Sequence, residues 1–292
     1  MPQYRTIEQT FTGQQTSDGA GVKLTRILTQ DLQQRLDPFL MLDVFGSDKP
    51  DEYIAGFPEH PHRGFETVTY MLNGRMRHQD SRGNHGVLEP GGVQWMTAGR
   101  GILHSEMPEQ QDGLLEGFQL WINLPAARKM VEPLYQDLLS EQLPEKQFVD
   151  GSMVRAIAGE FEVQSGTASR ERLTGAIKRP DTQPIFADIH LEADSSLTLF
   201  LPVNHCAFVY TYRGLIEIAG QSLPSGEMAV LSQNDDEADR VSLSAADASR
   251  AILIAGAALH EPIAQYGPFV MNTHDELIQA VEDFQAGRLG RD

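Results

Sequence analysis

The chemistry this chain can do is concentrated in three histidines and two glutamates, spread over two short stretches. The first, "GFPEHPHRGFETVTYMLNG" (56–74), carries His60 and His62 with Glu66 four residues on; the second, "GRGILHSE" (99–106), carries His104 and Glu106. Along a β-strand, residues i and i+2 share a face. His60, His62, Glu66, Val68, Tyr70 and Leu72 therefore share one parity, provided that Gly64 introduces no bulge. His104 and Glu106 share a face in the same way. Two neighbouring strands inside a barrel, each offering imidazole and a second ligand in one direction, converge on a single cation. Several histidines with a carboxylate suit a divalent first-row metal such as Fe(II), Mn(II) or Zn(II). The lone cysteine, Cys206, rules out a thiolate zinc site and reads as a small core residue.

Five of the nine histidines fall between His60 and His104. Two of them, His78 and His85, lie in the polar stretch "RHQDSRGNHG" and read as surface residues. Gly99 and Gly101 read either as a strand-end turn or as room for close backbone approach beside the site. No phosphate-binding glycine loop, GxSxG elbow or CxxC pair is present, so nucleotide, acyl-transfer and dithiol chemistry are set aside.

The elements that must position these residues are short. "ETVTYML", "VQWMTAG", "FQLWINL", "SLTLFL", "AFVYTY", "LIEIAG" and "EMAVLS" are β-branched or aromatic runs bounded by turn residues, which predicts an all-β fold of sandwich or barrel type. The clearest helix follows Thr273, with Glu276 completing a capping box, Gly287 as the stop, and Leu277, Val281 and Phe284 as a stripe that docks on the body. Residues 125–148 are charged and proline-containing, and read as a partly helical connector between two domains.

An internal repeat supports that division. "FETVTYMLNGRMRH" (65–78) resembles "AFVYTYRGLIEI" (207–218) when Gly74 is laid on Gly214, and "LEPGGVQWM" (88–96) resembles "LPSGEMAVL" (223–231). On that alignment His60, His62 and Glu66 correspond to Phe200, Pro202 and Cys206, none a ligand for such a site. The second barrel is expected to keep the frame without the metal, and His205 reads as a structural residue.

The 292 residues carry a formal charge of −18, from 41 acidic against 23 basic side chains. Such a surface disfavours nucleic acid and anionic membranes, whose binding relies on Lys and Arg. The apolar run 251–259 is far shorter than the ~20 residues a bilayer requires, and the polar start of the chain does not read as a signal peptide. A cytoplasmic location is the expectation.

At "HPHRGFETVTY", "GGVQWMTAGRGILHSE", "LWINLP" and "YGPFVMNTHDEL" the sequence resembles the pirin family of bicupins, a likeness that extends over nearly the whole chain. The resemblance implies two cupin β-barrels with a few short helices and a C-terminal helix, divided as a metal-binding domain (1–140) and a domain without metal (141–292). It implies one Fe(II), with Mn, Zn, Ni or Cu as alternatives, held by His60, His62, His104 and Glu106. Glu66, where the wider cupin superfamily has its glutamate ligand, is then a supporting or alternative ligand. It further implies quercetin 2,3-dioxygenase activity, the opening of a flavonol ring by O2 with release of carbon monoxide; for that chemistry Glu106 takes the hydroxyl proton only if it swings partly off the metal, since a firmly ligated oxygen is a poor base. The alternative that the family offers is a redox-sensitive regulator acting through protein partners.

Overall fold

The computed structural model describes residues 3–233 and 238–290, so the outermost residues of the two expected domains lie outside the described residues. The described residues are mostly antiparallel β-structure, with one α-helix and four short 3-10 turns. Every strand read from the sequence is present. The chain divides into two compact units, one made of the N-terminal residues to Gly13, Arg35–Asp37 and Glu141–Ala258, the other of Gln14–Gln34, Pro38–Ser140 and the chain from Leu259 onward.

The unit changes after Ser140, and each terminal segment of the chain joins the unit that is distant from it in sequence. Strand Ile7–Thr12 pairs with Glu227–Leu231 of the later unit. The C-terminal helix, His274–Gln285, belongs to the earlier one, where Leu277 and Ala280 pack with Phe269, Met271 and Leu289. Its capping box forms as expected: Glu276 N–H donates to Thr273 Oγ1 and Thr273 N–H to Glu276 Oε2. Phe284 is 40% exposed, so the docked stripe is narrower than the spacing suggests. The connector is less helical than expected. Leu134–Leu138 is an edge strand against Val93–Thr97, and Glu145–Gln147 is a strand as well.

In the unit carrying His60, a seven-stranded sheet runs in the order Leu134–Leu138, Val93–Thr97, Phe65–Asn73, Leu115–Asn123, Phe39–Ser47, Val22–Leu28, Gln14–Asp18. A four-stranded sheet runs Phe57–His62, Ile102–Pro108, Met76–Asp80, His85–Leu88. Residues from both sheets, among them Leu24, Phe45 and Met71 from the first and Phe57 and Met76 from the second, close one end of the interior with apolar contacts. In the other unit the interior is filled by apolar side chains, nearly all of them aliphatic.

The two units repeat each other in register. Tyr70 stands opposite Val93, and their counterparts Tyr210 and Met228 stand opposite each other. Gly91 N–H donates to Met71 O, and Gly226 N–H to Thr211 O. Gly74 and Gly214 both adopt positive φ, +79° and +72°, a conformation that glycine alone reaches without strain.

Candidate metal centre

His60 and His62 end the strand Phe57–His62, and His104 lies opposite His60 on the neighbouring strand Ile102–Pro108. That pairing aims three imidazoles into one space: ring centroids lie 4.7 Å apart for His60 and His62, 4.4 Å for His60 and His104, and 4.9 Å for His62 and His104. One ring nitrogen from each lies within 4.8 Å of the others, the one grouping of this kind among the described residues.

The protonation states suit a ligand set. His60 Nδ1 is 2.8 Å from Pro58 O, a pure acceptor, so the neutral ring carries its proton there and bears a lone pair on Nε2. That Nε2 lies 3.0 Å from His62 Nε2. Two nitrogens bound at right angles to one ion at about 2.1 Å are separated by about 3.0 Å. His62 and His104 are 3% and 1% exposed. Burial, and then the charge of the neighbouring imidazoles, holds both rings well below the usual histidine pKa and hence neutral. Neither ring nitrogen of His104 meets a hydrogen-bond partner. A buried imidazole without a partner costs free energy, and a divalent cation in this space would relieve it. The donors present fit such an ion.

Glu106 stands on the same strand, beyond an irregularity in the pairing between His104 and Glu106. Its carboxylate is buried and both oxygens are engaged: Thr69 Oγ1 donates to Oε1 and Gln119 Nε2 to Oε2, each at 2.9 Å. It is not one of the three groups within 4.8 Å.

Glu66 is elsewhere. The condition attached to its parity fails, because the chain passes from one sheet to the other at Arg63 and Gly64. Gly64 has φ +89°, and a Cβ there would meet Val270 O at 2.0 Å. The residues that follow are turned by one position, so Thr69 rather than Glu66 reaches the site. Glu66 instead pairs in register with Thr97 and accepts its hydroxyl at 2.6 Å. The turn is fixed by Lys129, a fully buried ammonium that donates to Gly64 O, Asn123 Oδ1 and Val270 O at 2.8, 2.6 and 2.9 Å. Burial lowers its pKa to about 8.

One further expectation is corrected. His78 is not a surface residue: it alternates inward with Met76 and Asp80, is 1% exposed, bonds Asp137 Oδ2 at 2.8 Å and stacks on Tyr135. His85 is exposed, as expected. Gly99 and Gly101 lie at a turn after the strand Val93–Thr97, the first of their two readings, and make room for protein: a Cβ would meet Val131 O at 2.1 Å at the first and Leu289 Cγ at 2.7 Å at the second.

A cavity of about 630 Å³ opens onto His60 and His62. Trp121, Met41 and Phe57 give it apolar walls, while Arg26, Gln30 and Gln119 bring polar groups. Trp121 packs edge-on to His62 at 5.3 Å and against Phe65 at 4.3 Å. An aromatic wall with a few polar groups is the usual lining of a small-molecule site. Sequence reading missed Thr69, Gln119 and Trp121. Of these, Gln119 left a signal, an amide inside the apolar run "FQLWINL".

Comparison with known proteins agrees with this arrangement. The family model for pirin matches residues 21–122, and that for the pirin C-terminal cupin domain matches residues 186–290. This chain belongs to the pirin family. A Pseudomonas aeruginosa protein provisionally named a quercetin 2,3-dioxygenase is 47% identical, over 99% of each chain. Human pirin is 40% identical, over 94% of this chain and 90% of its own. The crystal structure of a quercetin 2,3-dioxygenase from Acinetobacter baumannii superposes with a TM-score of 0.88 at 33% identity, covering 99% of each chain. The fold is thus that of a bicupin, and the pirin likeness together with the histidine triad indicates a divalent metal site.

At the corresponding positions the second cupin carries aliphatic residues. Glu106 pairs with His78, and Leu243 pairs with Ile218, the counterpart of His78. Leu243 and Val241 therefore stand where Glu106 and His104 stand. Leu199 pairs with Val241 as His60 pairs with His104. The counterparts of His60 and His62 are thus Leu199 and Leu201, one residue earlier than the alignment gave. Thr69 and Gln119 correspond to Val209 and Leu253. All six belong to the aliphatic core of that unit.

Proposed function

We propose that this protein is a mononuclear iron oxygenase of quercetin 2,3-dioxygenase type, with Fe(II) held by His60, His62, His104 and Glu106, and with the second cupin as a metal-free partner of the same frame. The observation that carries this reading is the convergence of three imidazoles, two of them on the wall of a cavity large enough for a flavonol. The names borne by the Pseudomonas and Acinetobacter relatives support the substrate class.

A divalent iron bound at the triad supplies Lewis acidity toward an enolic oxygen and a redox centre for O2. The remaining work falls to the chain. Trp121, Met41 and Phe57 cover the faces of a flat aromatic substrate and exclude water beside His62. Burial keeps His62 and His104 unprotonated at neutral pH, so both remain able to donate their lone pairs. Glu106 accepts the proton of the substrate's enolic hydroxyl, and the hydrogen bonds from Thr69 and Gln119 orient its carboxylate.

The substrate is a small hydroxylated aromatic molecule of flavonol type, and no nucleic acid is required. No helix among the described residues is long and apolar enough to cross a membrane.

The test is oxygen uptake by Fe(II)-loaded protein with quercetin, with carbon monoxide measured as coproduct. The reading expects metal-dependent uptake that His62→Ala abolishes and that Glu106→Gln lowers by about 10²–10⁴-fold, the range for loss of a general base. Full metal occupancy with no uptake above the His104→Ala background would overturn it.

A further inference from the structure

Glu106 does not line the 630 Å³ cavity; Gln119 does. Gln119 is the only residue of the strand Leu115–Asn123 that is not buried. One end of its amide is committed, since Nε2 donates to Glu106 Oε2 at 2.9 Å. The orientation is fixed by chemistry, because a carboxylate oxygen takes a hydrogen bond from the NH2 end and not from the carbonyl end. Oε1, at the other corner of the amide, is then left to act as an acceptor.

The residues around Gln119 do not compete for it. Its cross-strand neighbours are Asp43 and Thr69. Asp43 is occupied by Arg26, whose Nε and Nη2 donate to its two oxygens at 2.9 and 2.7 Å. The Thr69 hydroxyl is occupied by Glu106. Gln119 therefore presents a neutral amide to a cavity ligand beside Glu106.

We infer that Gln119 is a specificity-determining residue that accepts a hydrogen bond from a neutral phenolic hydroxyl of the substrate through Oε1 while its NH2 group holds Glu106 in place. This assignment rests on the flavonol reading above and deepens it. It selects for a hydrogen-bond donor at one point of an aromatic ligand. A methyl ether at that point offers no donor and leaves a buried acceptor unsatisfied, a difference worth about tenfold in affinity.

The experiment measures binding, not turnover. Zn(II)-loaded protein, which has no redox activity, is titrated with quercetin and with its individual mono-O-methyl ethers, and quenching of tryptophan fluorescence gives each Kd. The wild type is expected to bind quercetin about tenfold more tightly than one of the ethers, and Gln119→Met, nearly isosteric, to bind that pair equally. Gln119→Leu serves as a second variant, and zinc stoichiometry and melting temperature establish that each variant is folded. A preference retained in a folded variant, or a wild type that binds quercetin and every ether equally, overturns the role of Gln119 and leaves the flavonol reading standing. A wild type that binds none of these ligands overturns both.

Discussion

His60 and His104 stand directly opposite each other on two antiparallel strands, with their ring centroids 4.4 Å apart. That one register position unites the two stretches of sequence that carry ligands, and His62 joins them because it lies two residues along the same face. The site therefore depends on whatever holds the His60 strand against the His104 strand and fixes the turn that follows His62.

Part of that support comes from the far end of the chain. Arg63, next to His62, donates to Arg100 O at 2.6 Å and pairs with Asp283 of the C-terminal helix at 2.9 Å. Its side chain is 6% exposed. Asp283→Asn removes the charge and leaves a mostly buried guanidinium uncompensated, which costs about 3 kcal/mol. We expect this variant to unfold at lower urea and to bind Zn(II) more weakly than the wild type. Equal urea midpoints and equal zinc affinities would show that the helix does not support the site.

Lys129 provides the second support. Lys129→Met keeps the apolar stem and leaves Gly64 O, Val270 O and Asn123 without their donor. At about 1 kcal/mol or more for each unsatisfied acceptor, the expected loss is about 3 kcal/mol, read as a lower urea midpoint at pH 7.5. An unchanged midpoint would mean that the turn after His62 is held by other contacts.

The second cupin has its own titrating group. His205 is buried with neither ring nitrogen partnered, and burial together with the charge of Arg5 lowers its pKa to about 4. The unfolded chain binds this proton from about pH 6.5 downward, while the folded chain resists it until about pH 4. The stability associated with neutral His205 is therefore complete above pH 6.5 and is lost as the pH falls toward 4, by about 3 kcal/mol in all. The difference in stability between wild type and His205→Leu, measured by urea denaturation at pH 7 and pH 5, should shift against the wild type by about 2 kcal/mol at the lower pH. A difference independent of pH would contradict the assignment.

What was legible in the sequence was local. His60-x-His62 and His104-x-Glu106 declare themselves because two-residue spacing on a strand means a shared face, and the fold class follows from many short runs with turns between them. What was hidden depended on contacts distant in sequence or on a break in period. Gly64 shifts the pattern by one residue, which removes Glu66 from the site and brings in Thr69. The same kind of one-residue offset moved the counterparts of His60 and His62 to Leu199 and Leu201. His78 escaped notice because a five-residue strand with alternating burial sits inside a stretch as polar as a loop. The exchange of terminal segments between units left no pattern to read, since a docking stripe such as Leu277 and Ala280 does not name the surface it meets.

The measurement that tests the central claim most directly is metal stoichiometry after anaerobic Fe(II) loading, for wild type and for His60→Ala, His62→Ala and His104→Ala. The account predicts one iron per wild-type chain and loss of tight binding in each variant, with the C-terminal cupin contributing no second site. Retention of one tightly bound iron after removal of His104 would place the metal elsewhere and contradict it.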